Sequence, residues 1–448
     1  AEIAGDERAG AVVVRYSRPG LAPRRISQAS PGVPGAAEPF DNTGAVLASG
    51  DVNGDGFDDL VVGAPYEQVG AAPGAGAVVV LHGSPTGLRG AAFLSQDTAG
   101  ITGVAEGNDF FGLSLAVGDA NGDGVDDLAV GAPNEHADGG TGVVTFVPGS
   151  RTGLLPDRSR WLSQATAGIA GSPETSDAFG SAVEFADLDG DGAEELLVTA
   201  PGDQFGNSSG IVHGLPGGPA GPSADGSGVL TGPGDDQFGI DLAAGDITGD
   251  GIDELVVGVL DVDIVVPDEQ EFEDRKLAVF RGSPVGLDPA SRATWSTRSP
   301  GVPSGAGSRS FTGAALGDVD GDDHADLLAG TDTQRVVLLR GGPARLTSTD
   351  AQAVSQDTAG MPGSTEREDG FGGTVATGDL DADGREDLLI GSPGEELSGV
   401  PAVGAVTVVV STDAGTTGGG TRLSTASLGL APVEATRQER LSSALAPR

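Results

Sequence analysis

Asp51, Asn53, Asp55 and Asp59 stand at alternating positions of the segment Asp51-Val-Asn-Gly-Asp-Gly-Phe-Asp-Asp59, which has glycine at its sixth position. Oxygen donors spaced this way in a tight turn converge on one point, and the glycine permits the positive φ that the turn requires. With the main-chain carbonyl of Phe57 counted, the segment offers oxygen donors only. A hard, partly anionic set of this kind suits Ca²⁺, which accepts roughly six to eight oxygens. Mg²⁺ fits less well, because it keeps its waters and demands a strict octahedron.

The segment recurs five times. The second copy supplies Asp119, Asn121, Asp123, the carbonyl of Val125 and Asp127, and the third Asp187, Asp189, Asp191, the carbonyl of Ala193 and Glu195. The fourth supplies Asp246, Thr248, Asp250, the carbonyl of Ile252 and Glu254. The fifth has Asp318, Asp320, Asp322, the carbonyl of His324 and Asp326, and the sixth Asp379, Asp381, Asp383, the carbonyl of Arg385 and Asp387. About six Ca²⁺ sites are expected. Two copies depart from the pattern: Thr248 is a neutral donor, and Asp323 replaces the sixth-position glycine. Aspartate tolerates positive φ better than most residues, so the fifth turn is expected to form. An EF-hand opens with the same spacing, but it needs a glutamate at the twelfth position and flanking helices, and this chain supplies neither.

Strands must hold these turns. Each copy follows an apolar stretch such as Phe111-Gly-Leu-Ser-Leu-Ala-Val-Gly118 and precedes another, Leu60-Val-Val-Gly-Ala-Pro65 or a relative. A Gly-rich turn, a β-branched run (Ala77-Val-Val-Val-Leu81) and a short closing segment (Phe93-Leu-Ser-Gln96) complete the unit. Runs of four to six Val- and Leu-rich residues bounded by Gly, Pro and Asp are strands. Four strands in each repeat of about 60–70 residues describe a propeller blade. The expectation is an all-β, seven-bladed β-propeller of four-stranded antiparallel blades over residues 1–448. Six repeats span 39–96, 110–164, 178–231, 237–296, 310–356 and 370–425. A seventh blade is shared by the termini: residues 1–38 give its third and fourth strands (Gly10–Val14 and Arg25–Gln28), and 426–448 give its first (Leu441–Ala446). Its second strand is expected upstream of Ala1 or from another chain.

These residues resemble FG-GAP repeats of integrin α-subunit propellers: Phe-Gly opens the unit, Asp-x-Asn-x-Asp-Gly forms the first hairpin and Gly-Ala-Pro follows. The resemblance implies a calcium-binding propeller, and it extends to accessory propellers of bacterial secreted proteins. Several units depart from it, with Thr43-Gly44 opening the first, Thr199-Ala-Pro in the third, Gly258-Val-Leu in the fourth and Gly330-Thr-Asp in the fifth. No Arg-Gly-Asp occurs, so the integrin ligand site does not carry over.

The net charge of −42 disfavours nucleic acid and anionic lipid as partners. No apolar run is long enough to span a bilayer. With no cysteine, a secreted chain needs another staple, and bound metal is one. The expectation is a secreted, monomeric binding or adhesion scaffold whose signal peptide has been removed. Strand parity puts the calcium hairpins, the 1–2 turns, at one end of the blades. The longer 2–3 and 4–1 loops, such as 96–109, 164–178 and 356–370, lie at the other end and are expected to meet a protein, glycan or small molecule. An acidic excursion in the fourth unit, from Asp261 to Asp274, reads as a solvated loop. Catalysis is the alternative, with a lyase, hydrolase or cyclase site at the channel mouth. Its candidates are thin: Tyr16, Tyr66 and His136 do not repeat. Gly206-Asn-Ser208-Ser-Gly210 matches the hydrolase elbow without the helix that motif requires. His82 and His213 are read as packing residues at matching ends of third strands. A purely structural domain of a larger secreted protein is the third reading.

Overall fold

A computed structural model of the chain describes residues 9–16, 20–137, 140–203, 210–232, 236–261, 274–366, 368–397, 404–412, 415–416 and 419–430. The strands Leu441–Ala446 expected at the C-terminus, the Gly206–Gly210 motif and most of the acidic excursion lie outside these residues. Two compact units divide the chain, residues 1–187 with 191–240 and residues 188–190 with 241–448.

Among the described residues, six four-stranded antiparallel sheets carry the fold, each in the simple order of its sequence. Blade 1 is Val46–Gly50, Asp59–Ala64, Ala77–His82 and Arg89–Leu94. Blade 2 is Ser114–Gly118, Asp127–Ala137, Gly140–Val147 and Arg160–Leu162, and blade 3 is Val183–Ala186, Glu195–Ala200, Ile211–Leu215 and Gly228–Thr231. Blade 4 opens at Gln237–Gly245, blade 5 at Phe311–Gly317 and blade 6 at Val375–Gly378. Val12–Val14 pairs with Arg24–Ile26 as a two-stranded sheet ahead of blade 1. Its Val12 and Ile26 pack on Val62, Val79 and Leu81. Among the described residues these make six complete blades and one pair of strands ahead of them, with a second two-stranded ribbon, Ser411–Thr412 and Gly415–Thr416, inserted before the last strand of blade 6.

The core lies between neighbouring sheets. Val61, Val78 and Val80 of blade 1 meet Leu115, Leu128 and Val130 of blade 2, with Phe111 wedged among them. Phe179 plays the same part between blades 2 and 3, and Phe371 between blades 5 and 6. These aromatics are fully buried. The backbone must come close for them to enter. Phe111 donates its amide to Ala75 O at 2.9 Å, and a Cβ on Gly76 would lie 2.3 Å from Phe111 O. Gly142 meets Phe179 in the same way. The phenylalanine supplies buried apolar area, and the glycine makes room for its main chain.

The two histidines do not occupy matching positions. His82 is the last residue of its strand and pairs with Arg89, whereas His213 sits mid-strand opposite Val198, where blade 1 has Val79 opposite Val62. His213 is fully buried with neither ring nitrogen hydrogen-bonded, and it meets Phe179 edge-on at 5.2 Å between ring centres. Burial lowers its pKa from 6.5 to about 4. The unfolded chain therefore takes a proton first as pH falls, and stability is lost progressively between pH 6.5 and about 4. The loss should approach roughly 3 kcal/mol at the acid end. His213→Val should remove it, so the stability difference between variant and wild type in urea unfolding should grow on going from pH 7.5 to pH 4.5. A pH-independent difference would show that the imidazole does not titrate as its burial requires.

Candidate metal centres

Each 1–2 hairpin is built around two carboxylates with different surroundings. The first-position aspartate turns back on its own loop. Asp51 accepts the amides of Asp55 at 3.0 Å and Gly56 at 2.7 Å, and Asp119 accepts those of Asp123 and Gly124 at 3.1 and 2.7 Å. Asp246, Asp318 and Asp379 accept the same pair of amides in their loops, and Asp187 accepts the amide of Gly192. The fifth-position aspartate takes the seventh-position amide, as Asp55 does from Phe57 and Asp123 from Val125. Ala193, Ile252, His324 and Arg385 donate likewise. Asp323 adopts φ 64° where the other loops have glycine, as its side chain permits.

The ninth-position carboxylate opens the second strand and is buried in all six hairpins: Asp59, Asp127, Glu195, Glu254, Asp326 and Asp387. The amide just after the third strand reaches it from Gly83 at 2.7 Å, Gly149 at 2.8 Å, Gly341 at 2.9 Å and Ser411 at 2.9 Å. Asn53 and Asn121 turn their amide nitrogens to Asp59 and Asp127. Half a turn of the same amide presents its oxygen instead. Burial, opposed by the Gly149 amide and aided by Asp119 and Asp123, raises Asp127 to about 7, and burial also raises Glu254 to about 7. A charge placed here needs a cation.

The donor sets fit that cation unequally. Asp187, Asp189 and Glu195 bring carboxylate oxygens within 4.8 Å of one another, as do Asp318, Asp320 and Asp322, and Asp379, Asp381 and Asp383; in the last group Asp383 also pairs with Arg385. The first two hairpins offer three carboxylates and an asparagine each, and His82 Nδ1 lies 3.1 Å from Asp59 Oδ2. In the fourth hairpin, Thr248 spends its hydroxyl and amide on Glu254, while Arg281 contacts Asp250 at 3.2 Å. The fifth gathers its oxygens but already has a cation beside them. Arg340, with a side chain only 11% exposed, puts Nη1 3.1 Å from Asp320 and 2.5 Å from Asp326. Its guanidinium already supplies the positive charge. Arg281 and Arg340 each follow the last apolar residue of a third strand, where blade 1 has His82, and the hairpin spacing gives no hint of them.

Two further systems escape a reading of the hairpins alone. The eighth-position residue of one hairpin donates its amide to the first-position carbonyl of the preceding hairpin: Asp126 to Asp51, Glu194 to Asp119, Ala325 to Asp246 and Glu386 to Asp318. At the other end of the blades, Gln28, Gln96, Gln164 and Gln356 donate to Glu67, Glu135, Asp203 and Glu395. All four pairs are separated by 39 residues. That constant interval is the signal by which the sequence could have disclosed them.

Four-stranded antiparallel sheets stacked through buried aromatic wedges, with an acidic hairpin in each, make this an all-β β-propeller chain. The FG-GAP repeat matches residues 43–81, 111–147, 179–215 and 371–409, and the chain carries FG-GAP repeats of the integrin-α-like kind. Blades 4 and 5, which lack Gly-Ala-Pro, fall outside those matches. Phosphatidylinositol-glycan-specific phospholipase D of Rattus norvegicus is 36% identical over 165 residues, 36% of this chain and 19% of that protein. Integrin alpha-3 of Mus musculus is 37% identical over 134 residues, 29% of this chain and 11% of that protein. The chain thus aligns with a fifth or less of the length of these relatives. Rhamnogalacturonan lyase YesW superposes with a TM-score of 0.36 at 13% identity, over 85% of this chain and 73% of that one. No helix among the described residues is long and apolar enough to cross a membrane.

Removing Arg340 should expose its role. Without it, Asp320 and Asp326 lose their counter-charge, which costs roughly 3–5 kcal/mol for a buried pair. In chelator, Arg340→Gln should be destabilised by that order in urea unfolding, and millimolar calcium should recover much of the loss. An equal loss in both conditions would show that the guanidinium does not stand in for an ion.

Proposed function

We propose that this chain is a secreted, calcium-loaded propeller scaffold that presents a binding surface at the 2–3 and 4–1 loop end of its blades. The observation that carries the reading is the buried ninth-position carboxylate, repeated in every hairpin beside further oxygen donors and matched by a protein cation only where arginine is available. The hairpins of blades 1, 2, 3 and 6 would hold Ca²⁺ through their first-, third-, fifth- and ninth-position side chains and the seventh-position carbonyls. The ion supplies the charge that lets these carboxylates stay ionised while buried. Seven blades, with Val12–Val14 and Arg24–Ile26 in a blade completed from the C-terminal side, remain the architecture proposed. Phosphatidylinositol-glycan-specific phospholipase D and integrin alpha chains, which share the repeat, are consistent with an extracellular setting.

The loop end has features that suit a ligand. Tyr66 is 41% exposed and its ring lies 5.0 Å from that of Phe110 in a tilted pair. Phe40 is 51% exposed nearby in the repeat pattern, and Phe40 and Phe110 both hold positive φ, 77° and 59°. Bulky residues held in that region of the backbone mark constrained, functional loops. Exposed aromatic faces suit glycan or apolar protein contacts better than the acidic remainder of the surface.

Chelation should lower the melting temperature by several degrees, and calcium should restore it. An unchanged melting curve, with no calcium bound at equilibrium, would remove the metal from the reading. Calcium-loaded protein passed over immobilised extracellular glycans and proteins should be retained by one class without cleaving it, and Tyr66→Ala should weaken retention about tenfold. Cleavage products would instead establish the enzyme reading.

A further inference from the structure

The loop end of the blades carries a second acidic system. At four junctions, a glutamine closing a fourth strand meets a buried acid from the end of the next blade's second strand or the loop after it: Gln28 with Glu67, Gln96 with Glu135, Gln164 with Asp203 and Gln356 with Glu395. Beside each pair lies a second buried carboxylate, Asp41, Asp109, Asp177 or Asp369. It accepts the amide of a glutamate three residues earlier, at 2.6–2.8 Å from Glu38, Glu106, Glu174 or Glu366. Each junction therefore gathers two buried acids, a glutamine and a glutamate at the rim.

Every one of these junctions also contains a buried acceptor oxygen with no donor: Glu38 Oε2, Gln96 Oε1, Asp177 Oδ1 and Gln356 Oε1. Asp177 is fully buried, and Gln96 and Gln356 are 2% and 3% exposed. Unmatched buried acceptors are rare, because each forfeits its hydration. The junction ahead of blade 5 is built differently. There Thr297 Oγ1 donates to Ser308 O, Ser304 Oγ to Thr297 O and Ser308 Oγ to Asp332 Oδ1. These hydroxyl oxygens all have partners, while buried Asp274, which feels the charge of Asp332 and pairs with Arg298 at 3.4 Å, keeps an unpartnered Oδ1.

A proton shared between the two acids would satisfy those acids alone and leave Gln96 Oε1 unmatched, whereas Gln28 Oε1 already accepts from Thr43 Oγ1 at 2.8 Å. One cation answers carboxylate and amide oxygens together. At the first junction, oxygens of Glu38, Asp41 and Glu67 already lie within 4.8 Å of one another. We propose that the first three junctions are a second set of sites for a hard divalent cation of the Ca²⁺ class, each held by two buried acids and a rim glutamate and, at the second, by Gln96 Oε1; at the fourth, Arg422 already pairs with Glu395. They lie at the end of the blades opposite the hairpins, and they do not depend on whether the hairpins are loaded. They would pin the 2–3 loop of one blade to the 4–1 loop before it, where the ligand is proposed to bind.

The test counts bound calcium by native mass spectrometry on the full chain. Glu67→Gln and Asp177→Asn should each lower the count by one, and Asp379→Asn in the sixth hairpin serves as the reference for hairpin loss. If the two junction variants fold with an unchanged count, the junctions hold water or protons only, and the proposal falls whatever Asp379→Asn does. Should either variant fail to fold, Tb³⁺ alone on the otherwise unchanged protein decides. Tyr66 adjoins Glu67, so emission sensitised by tyrosine and lost in Tyr66→Phe supports a junction site, and emission indifferent to that change overturns it.

Discussion

A carboxylate taken out of water must find a counter-charge or enough donors, or else take up a proton, and this protein buries one at the start of the second strand in all six blades. The hairpin around it reads as a response to that demand. The amide beyond the third strand reaches across to the buried acid, and asparagine, threonine, histidine or arginine completes its surroundings according to the blade. Because the donor comes from the third strand, the hairpin and the sheet behind it form together.

The same economy links blade to blade. The eighth-position amide of one hairpin closes on the first-position carbonyl of its predecessor, so consecutive loops share hydrogen bonds within each unit. Below them, a phenylalanine wedge and a glycine without a Cβ let two sheets approach until main-chain atoms touch. Packing between sheets and charge compensation at their ends are therefore coupled. The aromatic sits two residues beyond an acid of the loop-end junction in three repeats, at Asp109 and Phe111, Asp177 and Phe179, and Asp369 and Phe371.

Arginine shows how the scaffold can vary without losing its shape. In blade 5 a single side chain on a rigid strand reaches the position where a charge is needed, and the loop keeps its conformation even with aspartate in place of the turn glycine. Blade 4 takes a looser version of the same solution, with Arg281 partly exposed. These are also the two blades whose sequences drift furthest from the repeat. An arginine beside the buried acid and relaxation of the motif go together in these two blades.

Much of this architecture was legible in the residues alone. The recurrence of Asp51-Val-Asn-Gly-Asp-Gly sets the number of repeats. The alternation of short apolar runs with Gly and Asp sets their strands, because local patterning and turn chemistry act over a few residues. The candidate ligands were read from the same spacing, and among the described residues three carboxylate oxygens come within 4.8 Å of one another in the third, fifth and sixth hairpins. What distance in sequence conceals, only the tertiary structure decided. Arg340 and Asp326 are fourteen residues apart, and Gln96 and Glu135 thirty-nine. His213 looked like the counterpart of His82 until strand register put it in the core. Spacing along the chain determined which oxygens could share an ion, and packing across strands and blades decided which of them are buried, which are already matched by arginine, and which still lack a partner.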